Sequence, residues 1–409
     1  WNDTYIINLT GRRDGSSRFG PNRQFANFGA VGAAWVFSKE SFATKVFPFI
    51  NYGKLRGSYG TSGNDQIGDY EFLDTFTIMG EAYDGIIGIQ PARLYNPNFA
   101  WEVNKKLEFA LELNMFKDRI QLTTSYFRNI STNQLVGIPL PTSTGFTFLT
   151  ANLDAKVKNT GLELDLHTVN FQKTDFQWAT SFNVTFPDNE LVEFPGLEES
   201  TYANTYVVGE SLSIQKLYHY TGLSTDRGIY QYEDYNNDGA INSAHDKQWI
   251  EDMAPKYYGG ISNSLTYKNL SLDFFFQFTK QKSYNFLESI GLPGGWGNMP
   301  SLILDRWQQP GDQSNIQRYT TGADGEAYDA YDKVWRSNIA LTDASFIRLK
   351  NISIAYTIPV SKMNGVNCRL YFQGQNLLTF SNYKGPDPEQ AGQRLGVLKR
   401  LNFGVEINF

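Results

Sequence analysis

Cysteine is almost missing from this chain. Cys368 is the single one in 409 residues, which excludes a disulfide framework. Histidine is nearly as scarce, with His167, His219 and His245 scattered among strand and loop patterns. No H-E-x-x-H, C-x-x-C, G-x-S-x-G or Walker pattern occurs, so enzyme signatures are absent and the chain reads as a non-enzyme. Glu163 and Asp165 are a carboxylate pair of the kind a glycosidase uses, but two residues apart on one strand face they read as wall lining. No apolar run approaches the ~18 residues of a membrane helix, and mean hydropathy is −0.40. That excludes helical spans while leaving a barrel open, because alternating strands average to a polar hydropathy. A formal net charge of −6 argues against a nucleic-acid partner. No signal peptide opens the chain, which starts Trp1-Asn-Asp-Thr and enters a strand pattern at once. An exported protein needs such a signal, so the expectation is an interior-to-C-terminal piece of something longer.

What the chain has is aromatics and alternation. Aromatics are 15% of residues, with 24 Tyr and 30 Phe, which suits the girdles of a membrane barrel and also a Tyr-rich soluble β protein acting on carbohydrate. The last nine residues, Leu401-Asn-Phe403-Gly-Val405-Glu-Ile407-Asn-Phe409, alternate apolar with polar or small and end on an aromatic. Period two means a strand with one apolar face. It fits the seam strand of a closed barrel, where no edge is left open, and equally the last strand of a soluble sandwich.

Strand patterns run from end to end: Tyr5 to Arg13, Phe25 to Phe37, Lys54 to Ser62, Leu107 to Met115, Ile120 to Thr124, Leu162 to Leu166, Phe176 to Phe186, Ser213 to Tyr220, Gly260 to Tyr267, Leu270 to Phe278, Phe346 to Ile358, Cys368 to Leu377, and the final strand. Short turns (Lys117-Asp118-Arg119, Gln172 to Asp175, Lys268-Asn269) alternate with long connections (Gly63 to Glu102, Glu193 to Leu212, Leu223 to Pro255, Lys280 to Ala344). Short turns at one end and long loops at the other describe an outer-membrane barrel. Structureless loops of that length are out of place in a compact soluble domain. The expected fold is all-β, a transmembrane antiparallel barrel with about a dozen strands in this chain. Glu108, Glu112, Asn114, Glu163, Asp165, His167, Asp273, Gln277, Arg348, Lys350, Arg369, Gln373 and Gln375 occupy the polar face and would line its lumen.

Six strings, in order, carry a resemblance. They are Arg12-Arg-Asp-Gly-Ser-Ser-Arg-Phe-Gly20, Leu55-Arg-Gly-Ser-Tyr-Gly-Thr-Ser-Gly-Asn64, Asn96-Pro-Asn-Phe-Ala-Trp-Glu102, Val157-Lys-Asn-Thr-Gly-Leu-Glu163, Ser345-Phe-Ile-Arg-Leu-Lys-Asn-Ile-Ser-Ile-Ala-Tyr356, and Arg369 to Glu389 with its Gly374-Gln-Asn-Leu-Leu378 and Tyr383-Lys-Gly-Pro-Asp-Pro-Glu389 segments. Together they resemble the C-terminal barrel half of the SusC/RagA-type TonB-linked outer-membrane transporters of Bacteroidota. The resemblance implies a 22-stranded barrel closed by an N-terminal plug, a TonB box that draws on TonB–ExbB–ExbD, and a SusD-like surface lipoprotein as lid. It further implies import of oligosaccharides or peptides and a terminal aromatic, here Phe409, read by the assembly machinery. Residues 1–409 then form the C-terminal portion of the barrel, without plug, TonB box or signal peptide. Half a barrel cannot close on itself, so the Tyr5–Arg13 strand and the final strand are expected not to pair with each other. Two other classes stand beside the transporter: a partner-binding or structural barrel in an envelope assembly, and a secreted soluble β protein acting on glycans.

Two sets of residues are candidate sites. Asp234, Asn236, Asp238 and the carbonyl of Ala240 take the first, third, fifth and seventh positions of a calcium loop, with Gly239 at the turn. The twelfth position holds His245 instead of a carboxylate, and Asp246 follows one residue late. A Ca²⁺ site completed by Asp246 and a metal-free Asx- and Gly-rich turn both account for this string. The loop aromatics Tyr83, Tyr95, Trp101, Trp296, Trp307, Tyr319, Tyr328, Tyr331 and Trp335 suit stacking on sugar rings, contact with the lid, or packing of loop on loop. Tyr83, Trp296, Trp307 and Trp335 head that set as ligand or lid contacts, and Gly291 to Gly297 reads as a loop tip.

Overall fold

The structure is a computed structural model describing residues 1–146, 148–285, 287, 291–359, 367–390 and 395–408, with the side chains of 81–83, 139 and 142 also outside the described set. Twelve long strands follow one another: β1 (Tyr5–Gly15), β2 (Phe25–Trp35), β3 (Ile50–Asn64), β4 (Glu102–Met115), β5 (Ile120–Thr132), β6 (Lys156–Gln172), β7 (Phe176–Glu193), β8 (Tyr257–Tyr267), β9 (Leu270–Lys280), β10 (Phe346–Ile358), β11 (Asn367–Ser381) and β12 (Arg400–Asn408). The described helices are short, α1 (Ser41–Val46) and α2 (Gly325–Asp332) among them, and no described helix is long and apolar enough to cross a membrane. The chain divides into two compact units, Trp1–His167 with Thr185–Leu212, and Thr168–Val184 with Ser213–Phe409.

In the first unit β1 to β5 and the start of β6 are neighbours in chain order. Alternation sorts their side chains. Ile7, Ala33, Gly57, Phe109 and Tyr126 fall in register across five strands, and Leu55 with Leu111 lies on the same side. That is the apolar face. Lys54, Arg56, Glu108 and Glu112 stand on the other side. In the second unit β8 to β12 are likewise neighbours in chain order. Phe276, Leu349 and Leu378 share a row there, as do Leu272, Ile354 and Phe372. The final strand behaves as its alternation predicts. Leu401, Phe403, Val405 and Ile407 are exposed on one face, while Asn402, Gly404 and Glu406 pair with Gln373, Tyr371 and Arg369 on the other.

The turn ends are short: Phe116 to Arg119 joins β4 to β5, and Lys268-Asn269 joins β8 to β9. Phe116, Lys117, Asp118 and Lys268 all take positive φ there, the left-handed backbone that tight turns demand. The long ends are folded. They carry two-stranded ribbons: Thr75–Tyr83 with Ile86–Arg93, Gln134–Pro139 with Phe148–Leu153, Ile214–Leu217 with Trp249–Asp252, Tyr220–Leu223 with Tyr230–Tyr232, and Lys282–Tyr284 with Leu341–Asp343. One expectation is corrected here. Ser213 to Tyr220 is no wall strand but two short loop strands, because its residues pair locally with 249–252 and 230–232 instead of with a long neighbour. Among the described residues β1 has one paired neighbour, β2, and β12 has one, β11. Phe409 lies outside the described residues.

Candidate functional site

The strings singled out in the sequence turn out to be one another's contacts. Gly20 sits so close to Pro97 that a Cβ would lie 2.1 Å from the Pro97 carbonyl oxygen, and its N–H donates to the Phe99 carbonyl at 3.0 Å. Phe19 and Phe99 are fully buried with Phe28, Phe72 and Trp101. Asn64, the end of the second string, donates to Glu102, the end of the third, at 3.1 Å. Three strings therefore form one aromatic knot where β1, β3 and β4 meet their loops. Trp101, offered above as a loop contact, belongs to that knot, its indole N–H held by the Gln24 carbonyl at 3.1 Å.

The last two strings meet around Arg348, whose side chain is 1% exposed. Its Nη2 donates to both oxygens of Asp387 at 2.8 Å, its Nε donates to Thr379 Oγ1 at 2.9 Å, and its Nη1 donates to Glu389. Lys350 donates to both Glu389 oxygens at 2.7 and 2.8 Å. Burial pushes the Asp387 carboxyl up, but hydrogen bonds from Arg348 and from the Glu389 and Val397 N–H groups outweigh it and hold the group below the usual carboxylate range. Arg348 is thus no free lumen cation; it ties the loop after β11 to the wall. A bulge makes room: register slips between Leu349 and Asn351 opposite Gln375 and Leu378. There the Gly374–Leu378 string places Asn376 at φ 53.

On the lumen face of the first unit the charges stay half exposed. Lys54 Nζ lies 3.2 Å from Glu112, and Arg56 bridges Glu112 at 2.8 Å and Glu108 at 2.6 Å. Ser125 reaches Glu163 at 3.4 Å. Such a ladder offers water-accessible donors and acceptors to a polar solute.

The loop aromatics separate into buried and exposed. Trp307 is buried, its N–H on the Thr225 carbonyl at 3.2 Å. Its ring lies over Gly228, where φ is +65 and a Cβ would clash at 2.2 Å; it packs loop on loop. Tyr331 stacks on Tyr230 at 6.3 Å, its hydroxyl buried without a partner and its pKa pushed up to about 12 by burial. Trp296, in the Gly291–Gly297 tip, is fully exposed. Tyr95 and Tyr328 are exposed. Trp335 and Tyr319 are exposed beneath cations, Arg336 at 4.0 Å and Arg306 at 3.6 Å from the ring centres. The Tyr83 backbone closes the 75–93 ribbon opposite Ile86, and its side chain lies outside the described residues. Sequence reading passed over that ribbon's own signal. Phe76, Ile78, Ile87 and Ile89 fall on one face by register and all are exposed.

In the 234–246 loop, Asp246 is fully buried and accepts the N–H of Tyr235 at 2.9 Å and of Asn242 at 2.8 Å. Asp234 Oδ2 accepts Gly239 N–H at 2.7 Å, and Asp238 Oδ1 accepts Ala240 N–H at 2.8 Å. The Ala240 N–H, then the Asn236 amide, hold Asp238 below the usual carboxylate range. Asp246 pins the loop through these two backbone N–H groups. Asp234 Oδ1 is buried and has no partner. No group of three or more His, Cys, Asp or Glu among the described residues is arranged to hold a metal.

The β-barrel model of TonB-dependent receptor-like proteins matches residues 1–377. The chain belongs to that family. TonB-dependent receptor P3 of Formosa agariphila is 29% identical over 99% of this chain and 42% of its own length. TonB-dependent receptor SusC of Bacteroides thetaiotaomicron is 25% identical over 94% of this chain and 40% of its own. A solved structure of the RagAB peptide transporter superposes with TM-score 0.84 and 25% identity, covering all of this chain and 46% of that one. The chain thus spans about two-fifths of the length of the curated relatives it matches. The all-β fold is that of the TonB-dependent barrel, and the protein resides in the outer membrane. Its short turns face the periplasm and its long loops the exterior.

Proposed function

We propose that this family member is the C-terminal barrel portion of a TonB-dependent importer of a large nutrient, an oligosaccharide or a peptide, working with a SusD-like surface lipoprotein and energised through TonB–ExbB–ExbD. The observation that carries the reading is the division of the strands into a continuous apolar face and a charged face whose Lys54–Arg56–Glu108–Glu112 ladder stays hydrated. A structural barrel needs no such wet wall. The relatives are named as receptors, and RagAB as a peptide transporter, which supports import over catalysis. The exposed apolar face of Phe76, Ile78, Ile87 and Ile89 on an extracellular ribbon is the surface we assign to the lid, since a two-stranded ribbon with a bare apolar face lacks stability alone. Deleting the full-length gene should abolish growth on one oligosaccharide or peptide class while leaving growth on its monomers intact. Growth on every polymer tested would overturn the reading.

A second reading concerns calcium, as a structural cofactor of the 234–246 loop. The observation favouring it is the buried, unpartnered Asp234 Oδ1 in a loop closed by fully buried Asp246, since buried carboxylates are ordinarily paired or bound to metal. Asp234, Asn236, Asp238, the Ala240 carbonyl and Asp246 would supply oxygen ligands. Terbium luminescence, displaced by Ca²⁺ and lost in Asp246→Asn, tests it; absence of any terbium signal leaves the loop a metal-free turn.

A further inference from the structure

A shallow apolar depression marks the lipid-facing wall of the first unit. On β2 and β3 the outward residues are large above and below, Val31 with Tyr59 and Trp35 with Leu55. Between them Ala33 stands opposite Gly57. Ile7 and Phe109 flank these two small residues in the same row. The result is a shallow, open apolar notch of ≈ 740 Å³. A wall that meets only fluid lipid needs no fixed notch; a notch holds one chain in preference to its neighbours.

The periplasmic end of the notch has a polar rim. Tyr5 and Trp35 both line the notch, and both donate to Glu40, Tyr5 Oη at 2.7 Å and Trp35 Nε1 at 3.4 Å. Glu40 immediately precedes α1, so the same carboxylate fixes the notch rim and the helix. Phe42, Val46, Phe47, Phe49 and Phe116 are all exposed around that helix, an apolar collar that water does not favour and a bilayer boundary does. Lys45 is exposed among them with no carboxylate within 4.0 Å among the described residues. Lys39 lies 3.9 Å from Asp3.

An apolar slot in the wall, running to a collar with an unpaired cation at headgroup level, matches one chemistry: an amphiphile with a long tail and an anionic head. We propose that this is a phospholipid site of the periplasmic leaflet. One acyl chain lies over Ala33, between Ile7 and the Phe109 ring that covers Gly57, and the phosphate lies beside Lys45. The site depends on the outer-membrane location alone, not on the transport reading.

Native mass spectrometry of the full-length protein in detergent tests it, with phosphatidylglycerol and phosphatidylethanolamine as added probes. Wild-type protein should retain phospholipid adducts. Ala33→Phe fills the notch and should lower retention about tenfold, with heat-modifiable electrophoretic mobility unchanged. Lys45→Glu, outside the sheet, should lower phosphatidylglycerol retention several-fold and phosphatidylethanolamine retention less. Equal retention by wild type and Lys45→Glu overturns the headgroup assignment even where Ala33→Phe fails to fold. Undiminished retention in folded Ala33→Phe overturns the acyl slot. Loss of self-association in that variant, with lipid still bound, makes the notch a protein interface and overturns the proposal as well.

Discussion

Two charged clusters in this chain use the same parts in different surroundings. Lys54 and Arg56 sit two apart on β3 and face Glu112 and Glu108; Arg348 and Lys350 sit two apart on β10 and face Asp387 and Glu389. In the first cluster the carboxylates come from the neighbouring strand, at positions that alternation already faces toward the cations, and every member keeps contact with water. In the second they come from a loop, and the arginine is sealed off. Exposed pairs contribute little to stability because water and salt compete for each charge. A sealed arginine has no such substitute, so whatever holds its loop holds its charge. The first cluster is a surface that solutes and counter-ions can reach, whereas the second is a fastening.

The sharpest test removes the sealed cation. Arg348→Met leaves the buried Asp387 without its cation, while Glu389 keeps Lys350, and breaking a buried pair from one side costs about 3–5 kcal/mol. Chemical unfolding of the refolded barrel should register that loss, and proteolysis within 382–399 should become rapid. Adding Asp387→Leu to Arg348→Met should restore much of it, because a matched apolar pair replaces the ions. If Arg348→Met costs under about 1 kcal/mol, the two clusters do not differ in kind. Glu389→Gln comes next. Glu389 is shared by Arg348 and Lys350 and is partly exposed, so weakening it should cost about 1–3 kcal/mol and loosen the loop without freeing it.

Acid offers a smaller, independent probe. The folded-state pKa of Asp387 is held below its unfolded value. Its contribution is therefore complete above the unfolded pKa, near 4, and is lost as pH falls through the folded one. Protease resistance of the 382–399 loop should hold from neutral pH to about 4 and decline below it. Asp387→Asn should show the weakened loop at every pH and no acid limb. An unchanged acid limb in that variant would assign the transition to other carboxylates.

The contrast between the clusters also explains what was legible beforehand. Alternation is a local signal, so the lipid rows, the polar face and the final strand could be read from residue spacing. Lys54, Arg56, Glu108 and Glu112 follow from the same rule, since directly paired strands leave little freedom about who meets whom. Arg348 looked alike by spacing, but its burial depends on a loop that returns from 39 to 41 residues away, which no periodicity encodes. The bulge at Asn376 is invisible for a related reason: a register slip changes which residue faces inward without changing composition. Ser213 to Tyr220 failed as a wall strand because a strand-like string says nothing about its partner. Trp307 and Trp296 are the same residue type in the same kind of loop, and only packing over Gly228 separates a buried brace from an exposed ring.

The smallest predicted effect is the one that most sharpens the distinction. Arg56→Gln removes a guanidinium from between Glu108 and Glu112, and on paper it breaks as many contacts as a change at Glu389. Each partner is at least a quarter exposed, so water can take up the freed carboxylates at once. Lys54 remains 3.2 Å from Glu112 to offset its charge. The expected cost is under about 1 kcal/mol, shrinking further in high salt as ions screen what is left. The same change should leave the protease resistance of the 382–399 loop untouched. What it should alter is the lumen: one fewer cation beside two carboxylates makes the wall more negative there. Uptake of an acidic ligand by the full-length protein should therefore fall relative to a neutral one of the same class. A stability loss as large as that of Arg348→Met would show that Arg56 is also a fastening, and that its apparent access to water does not govern its energetics.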